Sequence, residues 1–286
     1  MTAANSTSIH ARLLNLARTR GEDFNLVLTR YARERFLYRL SLVPARNFYW
    51  LKGSMLFDLW FDEPHRPTRD ADFLGLDEVS AESLASTFRE ICEVVVDDGM
   101  EFDPNSISIE EIRDNNRYGG RRVKLLGNLG NTRCHVHLDV GYGDAVTPGP
   151  EEATFPTLLE DLLPPRLIVY PRATVVAEKL ETIVSLGMAN SRMKDFFDLR
   201  ALASENATDA ELLGEAIAAT FKRRRTIIPT GVPLGLSDEF AHDPTKQAQW
   251  TAFLRKNRLK TTPLAEVVVD VRNFLAEPLQ LARLKN

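Results

Sequence analysis

Two short segments carry residue types that could do chemistry together: Lys52-Gly53-Ser54 and, after fifteen intervening residues, Asp70-Ala71-Asp72. Alternate side chains of a strand share a face, so Asp70 and Asp72 point the same way while Ala71 and Phe73 face a core. Two adjacent carboxylates repel unless a cation sits between them. Mg2+ takes oxygen ligands and keeps positions open for water and phosphate oxygens, so the pair is a natural platform for it. A Gly-Ser turn lets the backbone approach closely. The Ser54 hydroxyl and the free N–H groups at the following helix start can then hold a polyphosphate. A turn for phosphate beside a carboxylate pair for metal describes a nucleoside triphosphate site. Either part alone is commonplace; their order and spacing carry the reading.

A third carboxylate is offered by Arg133-Cys134-His135-Val136-His137-Leu138-Asp139-Val140. Alternation puts Cys134, Val136, Leu138 and Val140 on one face of this strand and Arg133, His135, His137 and Asp139 on the other. Asp70, Asp72 and Asp139 could then converge as metal ligands. In a two-metal site with ions about 3.5–4 Å apart, such a triad activates an attacking hydroxyl and supports a leaving pyrophosphate. His135 and His137 lack the partner Cys or Glu-x-x-His pattern of a zinc site. Further along, Lys179 sits mid-helix among Val175, Val176, Leu180, Ile183 and Val184 and must meet an anion, for which triphosphate is a candidate. In Arg192-Met193-Lys194-Asp195-Phe196-Phe197-Asp198, Asp195 and Asp198 share a helix face, as do Lys194 and Asp198. The competing reading for Lys194 and Asp198 is a structural ion-pair ladder.

The elements that must position these groups follow from periodicity. Residues 11–45 read as one amphipathic helix with frequent arginines, and Phe57 to Phe61 as a short helical stretch ending before the loop Glu63-Pro64-His65-Arg66-Pro67. Asp70 to Leu74 alternates as a strand. Ser80 caps a helix running to Val96 that covers a sheet. The runs 106–112, 121–126 and 133–140, separated by Gly- and Asn-rich turns, suggest an antiparallel meander. From Tyr170 the pattern turns helical, over 172–186, 193–202, 209–221, 244–257 and 263–275. The expected class is α+β with an α/β-like mixed sheet: a first domain over 1–165 and a helical C-terminal domain over 166–286.

The 286 residues, 44% apolar and 27% charged with 15 Gly and 15 Pro, exclude a disordered, collagenous or low-complexity chain. No apolar run approaches the roughly 18 residues of a membrane span, and residues 1–9 lack a secretory core, so a cytoplasmic protein is expected. Cys92 and Cys134 are expected as core thiols. The net charge of −4 hides a partition. Residues 1–50 carry 8 basic and 3 acidic side chains, residues 51–209 carry 16 and 29, and residues 210–286 carry 12 and 8. An acidic middle could gather divalent metal while basic ends hold a polyanion, or the partition could be solvated helix faces.

Gly53-Ser54, Arg66-x-Thr68-x-Asp70-x-Asp72, Ala177-Glu178-Lys179-Leu180 and Arg192-x-Lys194-Asp195-x-x-Asp198-Leu199 together resemble the successive motifs of the AbiEii-type nucleotidyltransferase toxins, which include the mycobacterial MenT proteins. Phe221-Lys222-Arg223-Arg224-Arg225-Thr226, Pro229 and Gln249-Trp250-x-x-Phe253-Leu254 are similar to that family's C-terminal region. The gap from Ser54 to Asp70 looks a few residues longer than usual for the family.

The resemblance implies a DNA polymerase β-like nucleotidyltransferase domain and the toxin of a bacterial toxin–antitoxin or abortive-infection pair. Such an enzyme transfers a nucleoside monophosphate from a triphosphate, with tRNA or another RNA as acceptor. Carried onto this chain, Asp70 and Asp72 would bind Mg2+ or Mn2+, and Ser54 and Lys179 the triphosphate, with Lys52, Gly53, Thr68, Arg192 and Lys194 around it. Asp195 or Asp198 would anchor the lysine-bearing helix or the nucleotide. Arg12, Arg18, Arg30, Arg33, Arg223, Arg224, Arg225, Arg255, Lys256, Arg258 and Lys260 would hold RNA. A cognate antitoxin is the implied protein partner, no membrane is involved, and the chain is expected as a monomer. Two other functions fit the same residues: transfer to a protein or small molecule, and a non-catalytic binding protein that keeps the fold.

Overall fold

The computed structural model describes residues 3–61, 65–68, 70–112, 119–205 and 209–285. Glu63 and Pro64 of the expected proline-bearing loop, and residues 113–118 in the first expected turn of the meander, lie outside the described residues. The chain forms two compact units, residues 1–143 with 151–169 and residues 144–150 with 170–286.

The first unit opens with helices α1 (Ala3–Arg20) and α2 (Phe24–Ser41). A single helix over 11–45 is therefore corrected. Gly21 adopts a left-handed φ of 64°, and Asp23 caps α2 by accepting from the Asn25 and Leu26 N–H groups. Glycine and an N-cap aspartate are a stop followed by a start. The arginines of α2 do not form a solvent-facing stripe. Arg33, Arg35 and Arg39 are buried, and Arg39 grips Asp98 with Nη1–Oδ2 of 2.8 Å and Nη2–Oδ1 of 3.1 Å. Burying a guanidinium is tolerable only where a carboxylate or carbonyls meet it.

Strands β1 (Tyr49–Lys52), β2 (Asp70–Gly75), β3 (Met100–Ile112), β4 (Gly120–Leu129), β5 (Thr132–Tyr142), β6 (Glu151–Thr154) and β7 (Arg166–Val169) form one mixed sheet in the order β3-β4-β5-β2-β1-β7-β6. The meander β3-β4-β5 is antiparallel, as its turn spacing predicts. Against it, β2 lies parallel to β5, and β1 pairs antiparallel with β2. Between β1 and β2 lie the 3-10 turn Gly53–Leu56 and the short helix α3 (Phe57–Trp60). Helix α4 (Ala81–Glu93), capped by Ser80 as expected, packs with α2 against the sheet. Phe36 of α2 meets Phe88 of α4 at 5.8 Å and Phe102 of β3 at 5.5 Å between ring centroids. Each such fully buried side chain contributes about 1.5–3 kcal/mol. Ala71, Phe73, Cys134, Val136, Leu138 and Val140 fill the covered side of the sheet, which leaves Asp70, Asp72, His135, His137 and Asp139 on the other.

The second unit is built of α5 (Arg172–Leu186), α6 (Met193–Ser204), α7 (Ala210–Arg224), α8 (Asp238–His242), α9 (Pro244–Asn257) and α10 (Leu264–Leu284). Its core gathers Val176, Leu180 and Ile183 of α5 with Phe196, Leu199, Ile217, Phe221, Val271 and Leu275. Strands β1, β6 and β7 and helix α8 carry no signal strong enough to be read from the sequence, since each is only four or five residues long. Cys92 and Cys134 are free and buried. No helix among the described residues is long and apolar enough to cross a membrane.

Candidate active site

Cross-strand register assembles the site from residues far apart in sequence. Asp72 lies opposite Asp139 on one side and opposite Lys52 on the other. Asp139 in turn faces Arg122, and Arg122 faces Glu110. A row Glu110–Arg122–Asp139–Asp72–Lys52 thus crosses β3, β4, β5, β2 and β1 on one face. One step along the strands, Ser108, Lys124, His137 and Asp70 form a parallel row. Directly opposed residues share a face, so the parallel pairing of β2 with β5 makes Asp70, Asp72 and Asp139 neighbours.

The Gly53–Leu56 turn sits against this face. Gly53 has a φ of 73°, and a Cβ there would lie 2.1 Å from Asp72 Oδ2. Only glycine lets the turn adopt this backbone with the carboxylate pressed on its Cα. Ser54 Oγ donates to Thr68 Oγ1 at 2.7 Å, and Thr68 Oγ1 donates to the Asp70 carbonyl at 3.3 Å. The two hydroxyls tie the turn to the start of β2. From the covered side of the sheet, Arg33 Nη1 reaches the same Asp70 carbonyl at 3.4 Å. Burial pushes the Arg33 pKa down to about 10, while Asp58, Asp70 and Asp72 act to raise it.

Arg122 is the site residue that motif reading missed. Its Nε donates to Asp139 Oδ1 at 2.7 Å and its Nη2 to Asp139 Oδ2 at 2.6 Å, a bidentate fork, and Nη2 lies 3.6 Å from Asp70 Oδ2. Hydrogen bonding to Asp139, reinforced by the charges of Asp139, Asp70 and Asp72, holds its pKa above the ordinary arginine value despite partial burial. The only signal in the sequence is the pairing of two adjacent β-like runs, which needs the register to be known. His137 Nδ1 lies 3.5 Å from Asp70 Oδ1. Among the described residues, no group of three or more His, Cys, Asp and Glu side chains is arranged to hold a metal ion. Asp139 accepts from Arg122 through both oxygens. The Asp70 and Asp72 carboxylates are hard oxygen donors on one strand face, a donor set that fits Mg2+ or Mn2+.

The second unit holds its own ionic cluster. Lys179 Nζ of α5 donates to Asp195 Oδ1 at 2.9 Å and to Asp198 Oδ2 at 2.7 Å, both on α6. Arg192 Nε donates to Asp195 Oδ2 at 2.9 Å. The two carboxylates are 2% and 0% exposed. Burial acts to raise the Asp195 pKa, but Lys179 and Arg192 outweigh it and keep it below the ordinary carboxylate value. The structure therefore gives Asp198 a partner on another helix, Lys179, and both aspartates anchor the lysine-bearing helix.

Of the basic residues expected to hold RNA, Arg33 is corrected, because it is 2% exposed in the core. Arg224 is engaged by Glu181 at 2.8 Å, Asp144 at 3.4 Å and Glu178 at 3.5 Å, and Arg12 is paired with Asp161. Arg18, Arg223, Arg225, Arg255, Lys256, Arg258 and Lys260 are exposed.

The model of the family described as nucleotidyl transferase AbiEii toxin, Type IV TA system, matches residues 35–276. No curated protein matches the chain in sequence. Among solved structures, MenT4, a nucleotidyltransferase toxin from Mycobacterium tuberculosis H37Rv, is similar with a TM-score of 0.60 and 19% identity, over 94% of this chain and 89% of that one. JHP933 from Helicobacter pylori is similar with a TM-score of 0.51 and 13% identity, over 91% of this chain and 94% of that one. At these identities the likeness is one of fold.

Proposed function

The chain belongs to the AbiEii family of nucleotidyltransferase toxins of type IV toxin–antitoxin systems, and from that premise we propose that it transfers a nucleoside monophosphate from a triphosphate to an RNA 3′ end, with the tRNA acceptor end as the substrate. One observation carries the site assignment. Asp70 and Asp72 stand on one face of β2, and Asp72 is seated against the Cα of Gly53 in the turn that joins β1 to the following helix start. The N–H groups of that start and the Ser54 hydroxyl suit phosphate oxygens.

In this reading Asp70 and Asp72 would hold Mg2+ or Mn2+, which supplies neutralisation of the charge on the α-phosphate and the leaving pyrophosphate. The chain's own residues bind and orient. Gly53 and Ser54 seat the phosphates, and Thr68 fixes the Ser54 hydroxyl to β2. Asp70 and Asp72 fix the approach of the ribose 3′-hydroxyl, whose oxygen bonds to the α-phosphorus as the bond to pyrophosphate breaks and whose proton passes to solvent. Lys179, Arg192 and Lys194 are assigned to the triphosphate on family grounds, with Asp195 and Asp198 orienting the Lys179 ammonium. Positioning and charge neutralisation supply most of the barrier reduction in such transfers. The exposed basic residues from Arg223 to Lys260 are assigned to the RNA backbone, an attraction that weakens as salt rises. A cognate antitoxin is the implied genetic partner.

The test incubates the purified protein with each of four α-labelled triphosphates and, separately, mixed tRNA, total protein and small metabolites, with Asp70→Ala as control. Label on the 3′ end of RNA that vanishes in Asp70→Ala bears the proposal out. Label found only on protein or on a small molecule removes the RNA acceptor, and label or growth inhibition that survives Asp70→Ala removes the catalytic assignment.

A further inference from the structure

Helix α2 buries Arg33, Arg35 and Arg39, and two of them are well met. Arg39 grips Asp98 and donates to the Met100 carbonyl at 2.8 Å. Arg35 Nη2 lies 2.9 Å from Glu34 Oε1 and donates to the Leu163 carbonyl at 3.0 Å. Arg33 is met far less closely. Among the described residues its Nε has no hydrogen-bond partner, and its Nη1 reaches the Asp70 carbonyl at the long distance of 3.4 Å. A guanidinium in a core without a carboxylate fork is costly, and such a group calls for a reason beyond packing. Burial pushes its pKa down to about 10, with Asp58, Asp70 and Asp72 acting to raise it, so the cation persists at neutral pH.

The reason lies across β2. Asp70 and Asp72 project from its uncovered face, and Asp139 stands in register beside Asp72, so negative charge is concentrated there. On that face Arg122 and His137 come within 3.6 Å and 3.5 Å of Asp70. Arg33 stands on the covered face, at the first residue of the strand, where water does not screen its charge. Thr68 Oγ1 donates to the same Asp70 carbonyl at 3.3 Å, so two donors fix the strand where the carboxylates begin. We propose that Arg33 is a positioning residue whose buried charge offsets the mutual repulsion of Asp70 and Asp72 and holds the pair together before a cation arrives. Its other acidic neighbour, Asp58, stands on α3 with Arg30 Nε 4.0 Å away and does not need Arg33 as its sole countercharge. This inference rests on the reading of Asp70 and Asp72 as the cation-holding pair.

The test is urea unfolding of the full chain with a metal chelator present, as a double-mutant cycle between residue 33 and the carboxylate pair. Asp70→Asn with Asp72→Asn is expected to cost stability while Arg33 is present, because a buried charge then loses its neighbours. In an Arg33→Met background the same change is expected to cost less or to stabilise. A coupling of that sign, about fivefold or more in the unfolding equilibrium constant, bears the proposal out; a coupling under about twofold, or of opposite sign, overturns it. Arg33→Gln runs beside Arg33→Met as a second neutral variant, so the cycle does not hang on one that folds poorly. Turnover, followed as pyrophosphate release with triphosphate and mixed tRNA, is the functional arm. Arg33→Met is expected to lower it about 10- to 100-fold, the range for loss of an outer partner of a metal site, and Arg33→Lys, which keeps the charge, by less than about fivefold. A lysine variant as slow as the methionine one overturns the role given to the charge. Asp58→Asn is expected to stay within about threefold of the parent; a loss equal to that of Arg33→Met moves the action of Arg33 to α3 and overturns the proposal. Asp70→Ala separates the premises. Turnover that survives it removes the reading of the pair and the proposal with it, whereas turnover that vanishes beside an uncoupled cycle removes only the role of Arg33.

Discussion

Replacing Gly53 by alanine tests the site geometry with one methyl group. The added Cβ would lie 2.1 Å from Asp72 Oδ2 and 2.9 Å from its Cγ, where ordinary contact begins at 3.4 Å. The carboxylate must therefore retreat by about 1.3 Å, or the turn must open. Two costs follow. Holding a residue with a Cβ at the φ of 73° costs roughly 1–2 kcal/mol. Displacing a positioning group by about 1 Å costs on the order of 100-fold in rate, or about 2.7 kcal/mol of barrier. Gly53→Ala is thus expected to lower turnover about 100-fold while lowering unfolding free energy by only about 1–3 kcal/mol, so that the protein stays folded. Turnover is measured at saturating triphosphate, and stability by guanidinium unfolding. In an Asp72→Ala background the collision with the carboxylate is gone and only the 3.0 Å approach to the Cβ of residue 72 remains, so the stability cost of Gly53→Ala should shrink towards the backbone part. Turnover within about threefold of the parent refutes the reasoning, since it would mean that Asp72 does not depend on the bare Cα of Gly53.

Other expectations concern the buried charges. Lys179→Met takes away the ammonium that Asp195 and Asp198 share, the two carboxylates being 2% and 0% exposed, and should cost about 3–5 kcal/mol of stability by urea unfolding; a cost under about 1 kcal/mol would deny that the ammonium compensates them. Asp195 has a folded pKa below its ordinary value, so between that value and about 3.9 the unfolded chain binds more protons than the folded one. The stability it contributes is present above about pH 4 and is lost as pH falls through the folded value, and a titration of unfolding free energy that stays flat there contradicts the pairing. Glu34 runs the other way. It lines a cavity of about 350 Å³ and accepts from Leu158 N–H at 2.6 Å, and burial, opposed by Arg35, pushes its pKa up to about 7. Between about pH 4.5 and 7 the folded state binds the extra proton, so stability falls as pH rises through that window, by on the order of 3 kcal/mol. Glu34→Gln should abolish that slope; an unchanged slope would place its origin elsewhere.

Much of the site was legible because its chemistry is written in local spacing. Asp70-x-Asp72 on an alternating segment, Gly-Ser before a helix start, and Lys179 on an apolar helix each constrain their own geometry over a few residues. The antiparallel meander was legible for the same reason, because short turns leave adjacent runs little choice of partner. The expected single helix over 11–45 fails on a local signal too: Gly21 and Asp23 are a stop and a cap that the surrounding run of leucines and arginines hides.

What the sequence by itself determined is which side chains share a face, which family the motifs resemble, and where most helices and strands run, since these depend on periods of 2 and 3.6 residues. Only the tertiary structure decided which charges meet. The parallel pairing of β2 with β5 set Asp139 beside Asp72, and the register of β4 gave Asp139 to Arg122. The packing of α5 on α6 gave Lys179 to Asp195 and Asp198. The burial of α2 took Arg33 out of reach of any polyanion. Such partners are fixed by register and packing between segments distant along the chain, and a shift of one residue in a strand would reassign every one of its pairs.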